Sequence, residues 1–379
     1  MMEFIEKVVI RTQCTCYYCG EIWFFSNEIN ALFKINPQTM QSKYVTSIEG
    51  YPINTGWLFT KMIPYKDRLI LIPFVAKRLI IYCPNTKETK YIEFNLEDDS
   101  PYFVVSEMFD QHSIILFPAI KHGYYYIYNL EDEMVTRHRL ESNMFINGSD
   151  KTLEIVSSGV MHDDRYIINI LKSNRLMYFK NNSCSLKFDN ITTLKKRVCA
   201  IEKYNEKYFI ALDSTGDNLF MVDYDGKITE EYCLGAVHGE KLYMFEELMG
   251  YSAIKNLGNE LVMAIPVKGN DLIILYDGEV IRLKLNWEFI KTTCDNAKPF
   301  SDVIVDQNYY YLMPYQSSTI VQISIKNYTI EYFERPDVST QVIYAKVDLY
   351  TNKENKNLIL QEGDITIEDY IKVIRKNIK

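Results

Sequence analysis

The sequence predicts an all-β fold built from repeated four-stranded antiparallel sheets. Three observations lead there. Among 379 residues, 30 are Tyr and 19 are Phe, and with the many Ile they suit a pleated, half-buried surface better than a helix. One pattern recurs seven times along the chain: an apolar strand, a short polar loop, a second apolar strand, a tight turn and a charged strand. Runs such as "IWFF", "LILI", "IILF" and "LVMAI" are apolar on both faces, so both faces must be covered.

The repeats begin at Glu21, Arg68, Ser113, Arg165, Lys207, Glu260 and Tyr309, spaced by about 48 residues. Their first apolar strands end near Ser26, Pro73, Pro118, Ile170, Leu212, Pro266 and Pro314. Proline is tolerated there because a strand end loses no ladder donor. The turns that follow the second strand, among them "NPQT", "PNTK", "DYDG" and "YDGE", are rich in hairpin formers. The last strand of each repeat, such as "TKYIEFN", "TRHRLES" or "VIRLKL", carries the charge that protects an exposed sheet edge. A further short apolar segment precedes each repeat, as in "LFTKMI", "RVCAI" and "SDVIV". It supplies a fourth, innermost strand.

Seven such sheets, set radially and packed face to face, satisfy every one of these patterns. The chain therefore resembles a seven-bladed β-propeller over residues 5 to 350, with divergent WD40- or kelch-like repeats. It matches no specific family, because the "WD" dipeptide, the kelch "GG" and the sialidase Asp box are missing. One domain spanning residues 1–379 is expected, with a C-terminal extension at 351–379. That extension breaks the strand pattern. Thr366 and Asp369 form a capping-box-like start, and Ile367, Tyr370, Ile371, Ile374 and Ile378 recur at helical spacing, which predicts a short helix.

The net charge of −8 without a basic block argues against a nucleic-acid surface. Glu3 and Glu6 with no long apolar stretch do not make a secretory leader, and the longest apolar runs are too short to cross a bilayer. A cytoplasmic, monomeric protein with reduced thiols and no membrane partner is the expectation.

Chemistry is sparse. Three of the eight cysteines, Cys14, Cys16 and Cys19, crowd into "QCTCYYCG". Aligned with the other repeats, Cys16 takes the innermost-strand core position held by Ile63, Met108, Val160 and Ile304. Cys14 shares its face, and Cys19 enters the turn. Ligands at i and i+2 of a strand sit roughly 7 Å apart, and no second Cys or His pair completes a zinc set. The cysteines are read as core, and no metal or cofactor is expected. "MHDDR", with His162, Asp163 and Asp164, reads as a turn. "DYDG" reads as a hairpin and not a calcium loop. "DSTGD" lacks the Gly-Lys-Ser/Thr of a phosphate loop. No catalytic set stands out.

Propellers expose two rings of loops. The long insertions here fall in the connections between sheets, on the ring that also holds the links between second and third strands. That ring carries Trp57, Lys77, Arg78, Lys121, His122, Arg175, His238, Tyr243 and Trp287. Aromatics stack and basic groups pair with anions, so a protein or carbohydrate-like ligand is expected there. The reading is a non-catalytic binding or scaffold module. Its alternative is an enzyme of lyase, hydrolase or cyclase type using His122 or His238 as acid/base.

Overall fold

The structure, a computed structural model, describes residues 12–26, 30–48, 50–51, 58–94, 103–108, 112–118, 124–139, 156–163, 165–170, 173–181, 186–236, 250–292 and 298–334. Every regular element among them is a strand. The first sheet holds β1 Thr12–Tyr18, β2 Glu21–Ser26, β3 Ala31–Asn36 and β4 Gln41–Ser47. The second holds β5 Phe59–Tyr65, β6 Arg68–Pro73, β7 Arg78–Cys83 and β8 Glu88–Glu93. The third holds β9 Phe103–Met108, β10 Ser113–Pro118, β11 Tyr124–Asn129 and β12 Met134–Arg139. Seven strands follow in one sheet: β13 Val156–His162, β14 Arg165–Ile170, β15 Ser173–Asn181, β16 Leu186–Lys203, β17 Tyr208–Asp213, β18 Asn218–Asp223 and β19 Ile228–Cys233. Then come β20 Tyr251–Asn256, β21 Leu261–Pro266, β22 Leu272–Tyr276 and β23 Glu279–Leu283. The last sheet is β24 Phe300–Val305, β25 Tyr309–Pro314, β26 Thr319–Ser324 and β27 Ile330–Glu334. Neighbours in every sheet are consecutive in sequence, the meander that short turns dictate.

The burial follows the predicted layering. Second and third strands are buried on both faces, as in β6 and β22. The fourth strands, β4, β8 and β12, alternate between half-buried and exposed. The described cysteines of the first sheet fall as expected, with Cys14 and Cys16 buried and Cys19 in an exposed turn at φ 51°. Cys16 pairs with Trp23 as Ile63 pairs with Ile70 and Val160 with Ile167. The third repeat departs from this alignment by one residue: Met108 pairs with Ile114 and Glu107 with Ile115. Four residues separate its innermost strand from the next, where two do so in the first sheet.

A feature hidden from the sequence repeats with the sheets. Six innermost strands carry a bulge near their start, opposite the end of the second strand. The extra residues are Gln13, Thr60, Val104, Ser157, Cys199 and Ser252. In three of these sheets the partner at the bulge is the recurring proline, Pro73, Pro118 or Pro266. A residue with no N–H thus sits where the ladder is already interrupted. The bulged end is then buried through Phe59, Phe103 and Tyr251.

The chain divides into two compact units, one of Met1–Tyr91, Phe289–Lys291 and Ser301–Lys379 and the other of Ile92–Glu288 and Thr292–Phe300. Within the first unit, β1 lies against β5 and β25. Thr12 donates its hydroxyl to Pro314 O, Ser301 donates to Thr12 O, and Thr15 Oγ1 donates to Asp302 Oδ2 at 3.2 Å. Among the described residues, the sheets of β1–β4 and β24–β27 thereby meet through side chains and share no ladder. One core packs Trp23, Phe25 and Leu32 against Phe59, Leu71 and Tyr82. A second packs Phe24 and Phe33 against Tyr311 and Met313. Within the second unit, β13 lies against β9 and β16, and β16 against β20. The 18-residue β16 pairs with β15 through residues 186–193 and again at Val198, and with β17 through 198–203. The predicted C-terminal helix, with all of 351–379, lies outside the described residues.

Burial pushes the Cys14 and Cys16 thiols well up, with Asp302 adding to the effect. Burial carries Cys199 up to about 12. Thiolate chemistry at these three is suppressed. In native protein at pH 7.5, iodoacetamide should label Cys19 and spare Cys14 and Cys16, read by peptide mass mapping. Cys16→Ser buries a hydroxyl in an apolar cluster and should cost about 1–3 kcal/mol in urea unfolding. Gly216 has φ +71°, and a Cβ there would lie 2.6 Å from Tyr251 N. Gly216→Ala should therefore lower stability by more than about 1 kcal/mol, since both backbone strain and a backbone clash act.

Candidate functional site

At the sheet ends expected to bind a ligand, Arg78 and Trp287 also fasten the scaffold. Asn30, buried and left-handed at φ 58°, donates from Nδ2 to Tyr51 O at 2.7 Å. The Tyr51 hydroxyl accepts the Lys77 N–H at 3.0 Å. The Arg78 guanidinium lies 5.7 Å from the Tyr51 ring and 4.7 Å from the Tyr91 ring, a desolvating cation–π position. It fills the space beside Gly50, where a Cβ would stand 2.6 Å from Nη2. Arg78 thus fastens the exit of the first sheet to the second. Arg282 does the same further along, donating from Nη1 to Leu234 O and from Nη2 to Cys233 O. Trp287, half-buried, donates from Nε1 to Asn270 O at 3.2 Å and holds down the loop between β21 and β22. Arg175 is half-buried near the start of β15, paired in register with Thr193. Trp57, Lys121, His122, His238 and Tyr243 lie outside the described residues.

The opposite ends of the sheets, where first strands turn into second strands, hold an assembly in the second unit. In "MHDDR", His162 ends β13 and Asp163 is a turn residue, left-handed at φ 50°. The His162 imidazole stacks on Tyr224 with centroids 3.6 Å apart and planes 11° from parallel. Its Nε2 lies 2.8 Å from Glu206 O. A carbonyl only accepts, so Nε2 carries the proton. The Tyr224 hydroxyl donates to Asn205 O at 3.0 Å and Tyr208 O at 3.3 Å.

His162, Asp163 and Glu206 place one ligand atom each within 4.8 Å of one another, spacing that a divalent ion could accept. Two features oppose a metal: the Nε2 lone pair is engaged as N–H, and both carboxylates are exposed. Asp223 and Asp213, in the "DYDG" and "DSTGD" segments, are turn caps. Asp223 Oδ1 accepts the N–H groups of Asp225 and Lys227 at 3.1 and 2.8 Å. Asp213 accepts the Asp217 N–H at 2.7 Å and Asn218 Nδ2 at 2.9 Å.

Beside this stack lies a cleft of about 620 Å³ between the turn of Lys203–Tyr208 and the turn of Asn256–Glu260. The first turn is held by Asn205 Oδ1, which accepts the N–H groups of Lys207 and Tyr208 at 2.8 and 2.9 Å. The second closes with Leu261 N–H to Gly258 O at 3.0 Å. Asn259 and Glu260 sit at its centre with φ of 50° and 58°, the twist a two-residue hairpin demands. A glutamate held there costs roughly 1–2 kcal/mol, and its carboxylate accepts Asn205 Nδ2 from the facing turn at 3.2 Å. Asn256 Nδ2 also crosses, to Lys203 O. Lys203 Nζ meets Glu206 Oε1 at 2.7 Å; that bond and charge, with His162 beyond, hold the Glu206 carboxyl below the usual range. Sequence reading missed this cleft. Its only trace is the polar character of "MHDDR", "KYNEKY" and "KNLGNE" at the same phase of three successive repeats.

This is a β-propeller fold. Streptogramin B lyase matches the chain with a TM-score of 0.58 at 11% identity, covering 86% of this chain and 96% of the lyase. A catalytically inactive virginiamycin B lyase from Staphylococcus aureus, solved with quinupristin, matches with a TM-score of 0.59 at 12% identity over 84% and 96% of the two chains. The RRP9 WD40 repeats match with 0.57 at 8% identity over 83% and 94%. At these identities the propeller likeness concerns the fold alone. No protein-family model matches the chain, and no curated protein matches it in sequence.

Because Nε2 is committed as a donor, His162→Gln should leave any zinc response unchanged. The thermal midpoint difference between added Zn²⁺ and EDTA is expected to be the same in both proteins. At the third sheet, burial lowers the pKa of His138, which stacks on Tyr125 at 5.0 Å. A histidine depressed on folding adds stability above its unfolded pKa of about 6.5 and loses it as pH falls through the folded value. The drop in midpoint between pH 7.5 and 5.5 should accordingly shrink in His138→Gln.

Proposed function

We propose that this chain is a seven-bladed, non-catalytic propeller that holds a protein or glycan-like ligand on a loop face. The count of seven follows from letting β16 serve twice, as the fourth strand of one unit through 186–193 and the first of the next through 198–203. One observation carries the binding reading. The turns around the cleft are fastened to one another by His162 to Glu206 O, Asn205 to Glu260 and Asn256 to Lys203 O. Such side-to-side fastening fixes the shape of a surface before a ligand arrives, which lowers the ordering cost of binding. His162 Nε2 donates to the Glu206 carbonyl and its ring is stacked on Tyr224, so beside the cleft it serves as a fastening.

The test is a combined glycan and peptide array on the full chain, followed by mass analysis of whatever binds. Saturable binding of a compound recovered unchanged is the expected result. A bound compound recovered cleaved, cyclised or eliminated would overturn the non-catalytic reading.

A further inference from the structure

We propose that the cleft between Lys203–Tyr208 and Asn256–Glu260 is a binding site for a neutral saccharide. The inference rests on the binding-module reading and names its site and ligand class. Its volume of about 620 Å³ falls within the ~300–1,000 Å³ of small-ligand pockets, enough for about two or three sugar rings.

Charge is the first selector. Lys203 and Lys207 face Glu206 and Glu260 in the lining, so the formal charges cancel. Lys203 and Glu206 already satisfy each other at 2.7 Å. A strongly anionic or cationic ligand gains no net attraction from such a wall.

Hydrogen-bonding character is the second. Among the described residues, Lys207 Nζ and the Asn259 carboxamide are exposed and hold no side-chain hydrogen bond. Glu260 gives one oxygen to Asn205 and keeps the other for an incoming donor. Donors and acceptors therefore alternate along the lining. A sugar hydroxyl is both donor and acceptor, so adjacent hydroxyls can bridge an ammonium or amide N–H on one side and a carboxylate on the other. Tyr208, half-buried, lines the same wall, and an aromatic side chain offers an apolar body beside a polar tip.

Rigidity is the third. Both walls are closed by their own backbone bonds and joined by Asn205 to Glu260. The free groups at the rim thus stand on fixed supports.

The experiment uses the full chain and saturation-transfer NMR with maltotriose, cellotriose, chitotriose and mannotriose, alongside a neutral and an acidic hexapeptide. Calorimetry then measures affinity for whichever binds. Two variants probe the cleft without touching its supports: Lys207→Ala, and Asn259→Gly, which relieves the left-handed backbone while removing the carboxamide. Both should keep the wild-type thermal midpoint within a few degrees. A third, Trp287→Phe, alters the other end of the sheets. Saturable binding of a trisaccharide, weakened at least tenfold in the Lys207→Ala/Asn259→Gly double variant and unchanged in Trp287→Phe, is expected. Trisaccharide binding that survives the double variant overturns this site and leaves the binding-module reading standing. Failure of every trisaccharide, with or without peptide binding, overturns the ligand class. A trisaccharide that binds through the cleft and is chemically altered supports the site and overturns the non-catalytic reading.

Discussion

The structure depends on strands that are apolar on both faces. Ile22, Trp23, Phe24 and Phe25 are all buried, although alternate residues of a strand point to opposite sides of its sheet. A sheet of this kind cannot face water on either side. Each buried Leu, Ile or Phe contributes about 1.5–3 kcal/mol relative to exposure, so the chain gains most by stacking sheet on sheet. The cores show the result: Trp23, Phe25 and Leu32 pack against Phe59 and Leu71 of the next sheet, and Phe24 and Phe33 pack against Tyr311 and Met313. The fourth strands escape this demand because one edge remains open to solvent, and they carry the charge.

Stacking leaves the connections to be organised by polar groups. At one end of the sheets, arginines do this work. Arg78 lies between Tyr51 and Tyr91, and Arg282 reaches the carbonyls of Cys233 and Leu234. At the other end, turns of successive repeats lean on each other through His162, Asn205 and Asn256. The basic and aromatic residues that a sequence reader takes for a ligand rim are partly spent on these fastenings. Trp287 is an example: its one polar atom is directed to Asn270 O.

Legibility differed by scale. The strand pattern was open to reading because solvent exposure alternates over a few residues and hairpin chemistry is local. Cys16 was placed in the core by alignment, and its burial against Trp23 follows from that position. Met108 was misaligned by one residue, since it pairs with Ile114, and β10, buried on both faces, carries no alternation from which that register could be read. The bulges at Gln13, Thr60, Val104, Ser157, Cys199 and Ser252 were also silent, since the extra residue is of a different type almost every time. Only the prolines opposite three of them hinted at an interrupted ladder.

The sequence by itself determined the period, the buried and solvated strands, the tight turns and the propeller that they imply. These are set by interactions within one repeat, where a residue's neighbours are known from its number. Only the tertiary structure decided which turns meet. His162 reaches a carbonyl 44 residues away, and Asn205 a carboxylate 55 residues away. Those meetings depend on the angle at which one twisted sheet packs on the next, a sum of many small side-chain volumes and bulge-induced twists. A turn written as "KYNEKY" declares that it is a turn; that it forms one wall of a cleft is decided by its neighbour.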